Sequence, residues 1–289
     1  MFTLRPITEA GSQMIDFDPR IPRELAVCLG EEAVAISKAG KYVGPNGLVD
    51  ISAQTLTSLK KTSFYDADHS HQPASTGSHA TQIELTNETT LSAHQRHLAK
   101  GLNAVSLNFA SATSPGGGFL GGARAQEEYL CRSSALFVTI KDSPMYAYHR
   151  DNWTPFYSDA MIYSVDVPVF RDDQHELLAT PYLASFITSA APLAKKVLPD
   201  DYPKLPNVLI HRILKILSVA KSKGHDSLIL GAWGCGAFGN DGHLVSELFH
   251  RALTVEFSGS FKEVTFAIVD TSPELRFIGP FAQRFSAQG

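Results

Sequence analysis

Between Pro22 and Gly40, apolar residues recur at a helical interval: Leu25, Leu29, Ala33 and Ile36. Proline near the start and glycine at the end are the expected punctuation of a helix. Asp66 to Thr81 is polar and rich in turn formers. It predicts a surface loop that joins an N-terminal helical extension, residues 1–75, to a main body, residues 76–289. In the body the period changes. "TQIELTNETT" alternates around Ile83 and Leu85 and predicts a strand. A helix over "LSAHQRHLAKG" ends at Gly101, and a buried strand runs from Asn103 to Ala110. A glycine-rich loop follows, then one helix through "AQEEYLCRSSALFVTIK". "AMIYSVDVPVF" and "ASFITSAAP" predict strands. "PNVLIHRILKILSVAKSKG" predicts an amphipathic helix with Leu209, Ile213, Ile216, Leu217 and Ala220 on one face, preceded by Pro206 and stopped by Gly224. A strand in "DSLIL" runs into a second glycine-rich loop, and "HLVSELFHRAL" and "KEVTFAIVD" complete the series as helix and strand. This alternation predicts an α/β layered sheet with helices on both faces.

Composition adds bounds. The 289 residues are 44% hydrophobic and 19% charged, enough to bury a sizeable core without staples. A net charge of −4 supplies no basic surface for gripping a nucleic-acid backbone, so no sequence-specific nucleic-acid binding is expected. Three cysteines, Cys28, Cys131 and Cys235, form no disulfide framework and no zinc pair, which suits a reducing compartment. No secretory signal and no apolar run long enough to span a bilayer is visible, so a cytoplasmic protein with no membrane partner is expected.

The candidate chemistry lies in the two glycine-rich loops, each directly after a buried strand. Ligands of such sheets bind at the carboxyl ends of strands, so both loops are expected to line one crevice. In the first, five of the seven residues from Gly116 to Gly122 are glycine, and Gln126, Glu127 and Glu128 follow in a helix start. A tight turn needs one or two glycines, and each surplus one costs roughly 0.5–1 kcal/mol of backbone order. Acids in a first helical turn are common as dipole partners, but together with the glycines they point to a site. The second, "GAWGCGAFGND", has Gly231, Gly234, Gly236 and Gly239 to free amides for an anion. Trp233 or Phe238 beside it would stack on a base or ribose. No Lys-Ser/Thr follows the glycines, so this is not a nucleotide-triphosphate loop.

Other clusters read more plainly. Cys235, with no assignable histidine partner, reads as a small buried cysteine rather than a nucleophile. Asp66, Asp68, His69, His71 and His79 have no regular ligand spacing and read as a solvated loop, so no metal and no cofactor is expected. His94 and His97 read as surface residues of a helix.

"PGGGFLGGARAQEE" resembles the signature of the microbial-type poly(ADP-ribose) glycohydrolases: three glycines, here Gly116, Gly117 and Gly118, then seven residues, then Gln126, Glu127 and Glu128. "IELTNETTL", "LNFASATSPGGGF", "DAMIYSVDVPVFRD" and "LILGAWGCGAFGND" are similar to that family as well. The resemblance runs from about Gln82 to the C-terminus and includes the helical extension before it. It implies a macrodomain-like three-layer α/β/α sandwich with a mixed sheet, the N-terminal helical extension packed on it. It implies hydrolysis of ribose–ribose O-glycosidic bonds in poly(ADP-ribose), mainly from chain ends, to release ADP-ribose. The implied partners are the polymer or ADP-ribosylated macromolecules, and a monomer is expected.

By the same resemblance Glu128 is the acid/base and Glu127 holds hydroxyls of the terminal ribose. Gly116, Gly117 and Gly118 would lie against that ribose and the diphosphate, with Phe119 and Gln126 as further substrate contacts. Gly234, Cys235, Gly236, Ala237 and Phe238 would clasp the diphosphate, and Glu88 would meet adenine. Where relatives often carry an amide before the proline of the first loop, this chain has Ser114. Adjacent helical residues diverge by about 100°, so the two acids suit a division of labour, one binding and one reacting. A non-catalytic ADP-ribose reader and a mono-ADP-ribosyl hydrolase would use the same loops.

Overall fold

The computed structural model describes residues 3–4, 21–69 and 76–286. The first long helix, α1 (Arg23–Ala39), starts after Pro22 and ends where Gly40 turns left-handed at φ 66°. Leu29, Ala33 and Ile36 face inward as their spacing predicts, whereas Leu25 is exposed. A hairpin of β2 (Lys41–Gly44) and β3 (Gly47–Asp50), then α2 (Ser52–Lys61) and β4 (Ser63–Tyr65), fill a stretch where no periodic signal was visible.

The body follows the predicted alternation, with exceptions noted in place: β5 (Gln82–Thr86), α3 (Thr90–Ala99), β6 (Ala104–Phe109), α4 (Gln126–Ser133), α5 (Leu136–Ile140), α6 (Pro144–Asp151), which was not predicted, β7 (Met161–Arg171) and β8 (Leu177–Ser189), which begins seven residues before its predicted stretch. Then come α7 (Leu205–Ser222), β9 (Ser227–Leu230), α8 (Gly242–Arg251), β10 (Glu263–Ala267) and α9 (Gly279–Ser286), which was not predicted either. With β1 (Thr3–Leu4), the sheet among the described residues runs β1-β5-β10-β9-β6-β8-β7-β4. Its strands are parallel from β1 to β8, while β7 and β4 are antiparallel to their neighbours. The extension therefore supplies both edge strands, β1 and β4.

One face of the sheet packs on α7, α8 and α9 through a core that includes Leu209, Ile213, Ile216, Leu217 and Phe249, all essentially inaccessible. The other face carries α1, α4, α5 and α6 around Phe119, Leu130, Leu136, Tyr146 and Phe170. This is the three-layer α/β/α sandwich. The helix expected as one piece through residues 125–141 is two, because Ser134 turns extended (φ −149°, ψ 173°) and bridges to Val169. Six residues of the expected loop, 70–75, lie outside the described residues, His71 among them. Among the described residues no helix is long and apolar enough to cross a membrane.

His94 and His97 are not surface residues: they are 1% and 0% exposed. Their i, i+3 spacing places both rings on the face of α3 that lies against the sheet. Small hydroxyl residues on three strands meet them there. His94 Nδ1 is hydrogen-bonded to Ser106 Oγ at 2.8 Å. His97 is bonded to Ser227 Oγ, and through Nε2 to Thr265 Oγ1 at 2.8 Å. Burial pushes His94 down to about 3 and His97 to about 4.

Both rings are thus neutral when folded, while unfolded they protonate near 6.5. Below that pH the unfolded chain binds protons that the folded chain refuses, so stability falls as pH drops from about 6.5 toward 4. The expected slope is up to about 1.4 kcal/mol per pH unit for each ring. Urea midpoints measured across this range should fall more gently in His94→Asn than in the parent; equal slopes would refute the account.

Candidate active site

The carboxyl ends of β5, β10, β9 and β6 lie side by side along one edge of the sheet. The segments that follow these strands enclose a cleft of about 530 Å³. Glu88, Thr89 and Thr90 follow β5, residues 268–272 follow β10, and Gly234, Gly236, Ala237 and Phe238 belong to the loop after β9. Residues 109–111 and 124–129, which include both acids, form most of the remaining wall, with Ala191, Ala232, Trp233, Ala267 and Phe277. The two glycine-rich loops therefore serve one crevice, and its volume suits a nucleotide-sized ligand.

The first loop works through its own acids. Gly117 is left-handed at φ 59°, and a Cβ there would sit 2.2 Å from Glu128 Oε1 and 3.2 Å from Glu127 Oε2. Both carboxyl groups thus converge on the space that glycine leaves open. Gly118 N–H donates to Glu128 Oε1 at 2.9 Å, and Gly116 N–H donates to Glu127. Ser111 N–H donates to Glu127 Oε2 at 2.7 Å, and Asn108 Nδ2 to its Oε1 at 3.3 Å. Glu128 Oε2 is buried with no hydrogen-bond partner among the described residues. The amides of Gly116 and Gly118 are thus occupied by carboxylates and that of Gly117 by Ser114 O, and the cleft wall is formed by residues flanking the three glycines rather than by the glycines themselves.

Burial pushes the Glu127 carboxyl up to about 8, against the pull of the Ser111 amide, and the neighbouring Glu128 charge adds to the rise. A desolvated carboxyl group beside a second one resists ionisation, so Glu127 retains its proton at neutral pH.

In the second loop, Gly234 (φ 75°) and Gly239 (φ 74°) make left-handed turns. Buried Asn240 spans them, its Nδ2 donating to Pro192 O at 2.8 Å and Gly234 O at 3.0 Å. The amides of Gly236, Ala237 and Phe238 have no backbone partner among the described residues. This is the free-amide arrangement that receives an anion.

Several expected residues stand elsewhere. Trp233 is fully buried with Nε1 donating to Ser189 O at 3.0 Å, so it anchors the loop and cannot stack on a ligand. Of the two aromatics of this loop, Phe238 is the partly exposed one at the cleft. Cys235 does not line the cleft: it is buried, and burial pushes its thiol up to about 12. Phe119 is a core residue, 1% exposed and 4.8 Å from the Phe137 ring centre: the loop folds its aromatic side chain inward and leaves the neighbouring Leu120 exposed. Gln126 reaches the cleft, yet its amide ties α4 to the sheet, accepting from Phe109 N–H at 2.9 Å and donating to Leu107 O at 2.8 Å.

At the far end, Glu88 lines the cleft and is paired with Arg96 at 2.6 Å. Asp270 went unnoticed in the sequence. Burial raises its carboxyl, but the Ser272 hydroxyl and the amides of Ser272, Phe277 and Ile278 outweigh that and hold it below its ordinary value. It thereby shapes the loop that brings Phe277 to the cleft. The signal was there: an acid at a strand's end followed by the turn sequence "TSPE".

Residues 30–172 match the family described as the catalytic domain of microbial-type poly(ADP-ribose) glycohydrolase (PARG). Among solved structures, the poly(ADP-ribose) glycohydrolase of Thermomonospora curvata is 40% identical, with a TM-score of 0.86 over 90% of this chain and 99% of that one. The same enzyme bound to the inhibitor ADP-HPD superposes with a TM-score of 0.84 at 40% identity, over 90% of this chain and 99% of that one. The Deinococcus radiodurans glycohydrolase in complex with ADP-ribose is 36% identical, with a TM-score of 0.77 over 83% of this chain and 100% of that one. No curated protein matches the chain. With this identity carried over nearly the full length of the T. curvata chain, on a sheet edge where both acids and the second glycine loop meet, the chain belongs to the microbial-type poly(ADP-ribose) glycohydrolases, glycoside hydrolases that act on poly(ADP-ribose).

Proposed function

We propose that this chain cleaves the ribose–ribose bonds of poly(ADP-ribose), mainly from chain ends, with Glu128 as the reacting acid/base. The observation that carries this reading is the convergence of the two carboxyl groups over Gly117 beside the cleft. An ADP-ribose unit fits with its diphosphate on the free amides of Gly236, Ala237 and Phe238 and its adenine toward Glu88. Its far ribose then meets the acids. A related enzyme solved with ADP-ribose supports the ligand class.

Glycosidic cleavage passes through an oxocarbenium-like state and needs a proton for the leaving oxygen. As the acid, Glu128 gives a proton to the leaving oxygen, and the C–O bond breaks as the leaving ribose becomes an alcohol. The resulting carboxylate takes a proton from the water that attacks the anomeric carbon, which restores the acid. Glu127 is held by Ser111, Gly116 and Asn108, so it suits binding ribose hydroxyls rather than moving. The cleft is complete within one chain, which supports a monomer. The free cysteines support a reducing, cytoplasmic setting.

Glu128→Gln should lower kcat on polymer by at least ~10²-fold while ADP-ribose affinity is kept. Chain-length analysis on gels checks it, and polymer trimmed at the parent rate would remove Glu128 from the role. The parent's kcat should fall above about pH 8 as Glu127 loses its proton and can no longer donate it to a ribose hydroxyl, read from a pH–rate profile; a flat profile through pH 9 would contradict it. Gly117→Ala forces a left-handed alanine against Glu128, costing about 1–2 kcal/mol of stability. Displacement of the acid should cost on the order of 10²-fold in kcat. Gly121→Ala, with open space at its Cβ, should match the parent in both melting temperature and rate.

A further inference from the structure

The sheet edge that carries the cleft does not end at it. After β6, the next strands in order are β8 and β7, and β7 is antiparallel, so its first residue, Met161, pairs with the last of β8, Ser189. The segment entering β7 therefore lies on the same edge, about 10 Å from β6 at ordinary strand spacing. It sits on the catalytic side of the cleft, away from Glu88 and Asp270.

That segment carries an aromatic pair that the cleft does not use. Tyr157 packs on Ala110, Ala112 and Ala190, and its ring centre is 6.2 Å from that of Phe238, which lines the cleft. Its backbone is left-handed at φ 53°, an unfavourable state for a bulky residue that the surrounding structure must enforce. The Trp153 indole donates a hydrogen bond to the Tyr157 hydroxyl, yet Trp153 is 53% exposed. An indole held in place with more than half its surface in water is costly unless something covers it. Beside the pair, Leu193 N–H donates to Pro155 O at 2.7 Å. The stem of exposed Lys195 crosses Gly239, setting a cation by the same rim.

We propose that Trp153 and Tyr157 form a stacking shelf for the adenine of the polymer unit next to the one in the cleft. This rests on the glycohydrolase reading. The oxygen that leaves in the cleavage belongs to the ribose of an adenosine, so a purine lies one sugar away from the acids. Flat aromatic faces with a nearby cation hold such bases, and the diphosphate behind the base meets Lys195. The shelf begins where the cleft ends, through Phe238, so a terminal unit and its neighbour occupy continuous surface.

The test compares the parent, Trp153→Ala and Trp153→Phe. For each, KM is measured on oligo(ADP-ribose), and free ADP-ribose is titrated as an inhibitor. Loss of one base–aromatic stack predicts a KM raised by roughly five- to tenfold in Trp153→Ala. The ADP-ribose inhibition constant should stay within about twofold of the parent's, and Trp153→Phe should keep most of the parent's KM. A Trp153→Ala protein with the parent's KM overturns the shelf, as does an equal rise in both constants. So does an effect confined to protein-attached ADP-ribose, which would place a polypeptide there instead. A parent that leaves polymer uncut overturns the glycohydrolase reading alone. Equilibrium affinity of the three proteins for labelled oligomer then decides the shelf by the same ratios.

Discussion

The site depends on one crowded contact: two carboxyl groups brought together where Gly117 has no side chain. Desolvation and mutual repulsion oppose this arrangement, and four donors offset them, from Gly116, Gly118, Ser111 and Asn108. Those donors suffice to place the acids but leave Glu127 pushed up to about 8. The same contact that costs stability keeps the Glu127 proton in place at neutral pH. At this helix start, which favours carboxylate, burial and the second charge win at Glu127.

The N-terminal extension has a role in holding that contact. Arg23 Nε donates to Gly121 O at 2.9 Å, and Arg124 donates to Ile21 O at 2.8 Å. Gly30 of α1 lies so near Phe119 that a Cβ would be 3.1 Å from its carbonyl oxygen, and one at Gly122 would be 2.6 Å from the Arg23 side chain. The glycine loop is thus pressed between α1 and α4, with Phe119 buried as its peg. A loop that gives up so much backbone order by composition regains it from tertiary packing.

Much of this was legible in the chain, and the misses have physical causes. The strands and helices of the body show because apolar periods of two and 3.6 persist over whole elements. The single crevice followed from two glycine-rich loops after buried strands. The burial of His94 and His97 was hidden because their partners, Ser106, Ser227 and Thr265, are distant in sequence and look like ordinary strand hydroxyls. The break at Ser134 is imposed by a bridge to Val169, a tertiary contact that overrides local helical preference. Phe119 and Cys235 were placed on the ligand because they neighbour glycines that define the site. In a tight loop, however, adjacent residues face opposite ways, and the apolar ones turn to the core. The short elements β2, β3 and β4 lack the length for a periodic signal.

Strand order explains why so many groups can act on one ligand. Parallel β5, β10, β9, β6 and β8 all end at one edge, and antiparallel β7 begins there. Along that edge lie Glu88, the loop shaped by Asp270, the free amides after β9, the acids after β6, and then the segment entering β7. Each contact comes from a different connection, so each can change without disturbing the strands beneath. The Trp153–Tyr157 segment is the last of these connections, and it precedes β7 rather than following a parallel strand. An antiparallel strand at this position is what lets the binding edge extend beyond the parallel part of the sheet.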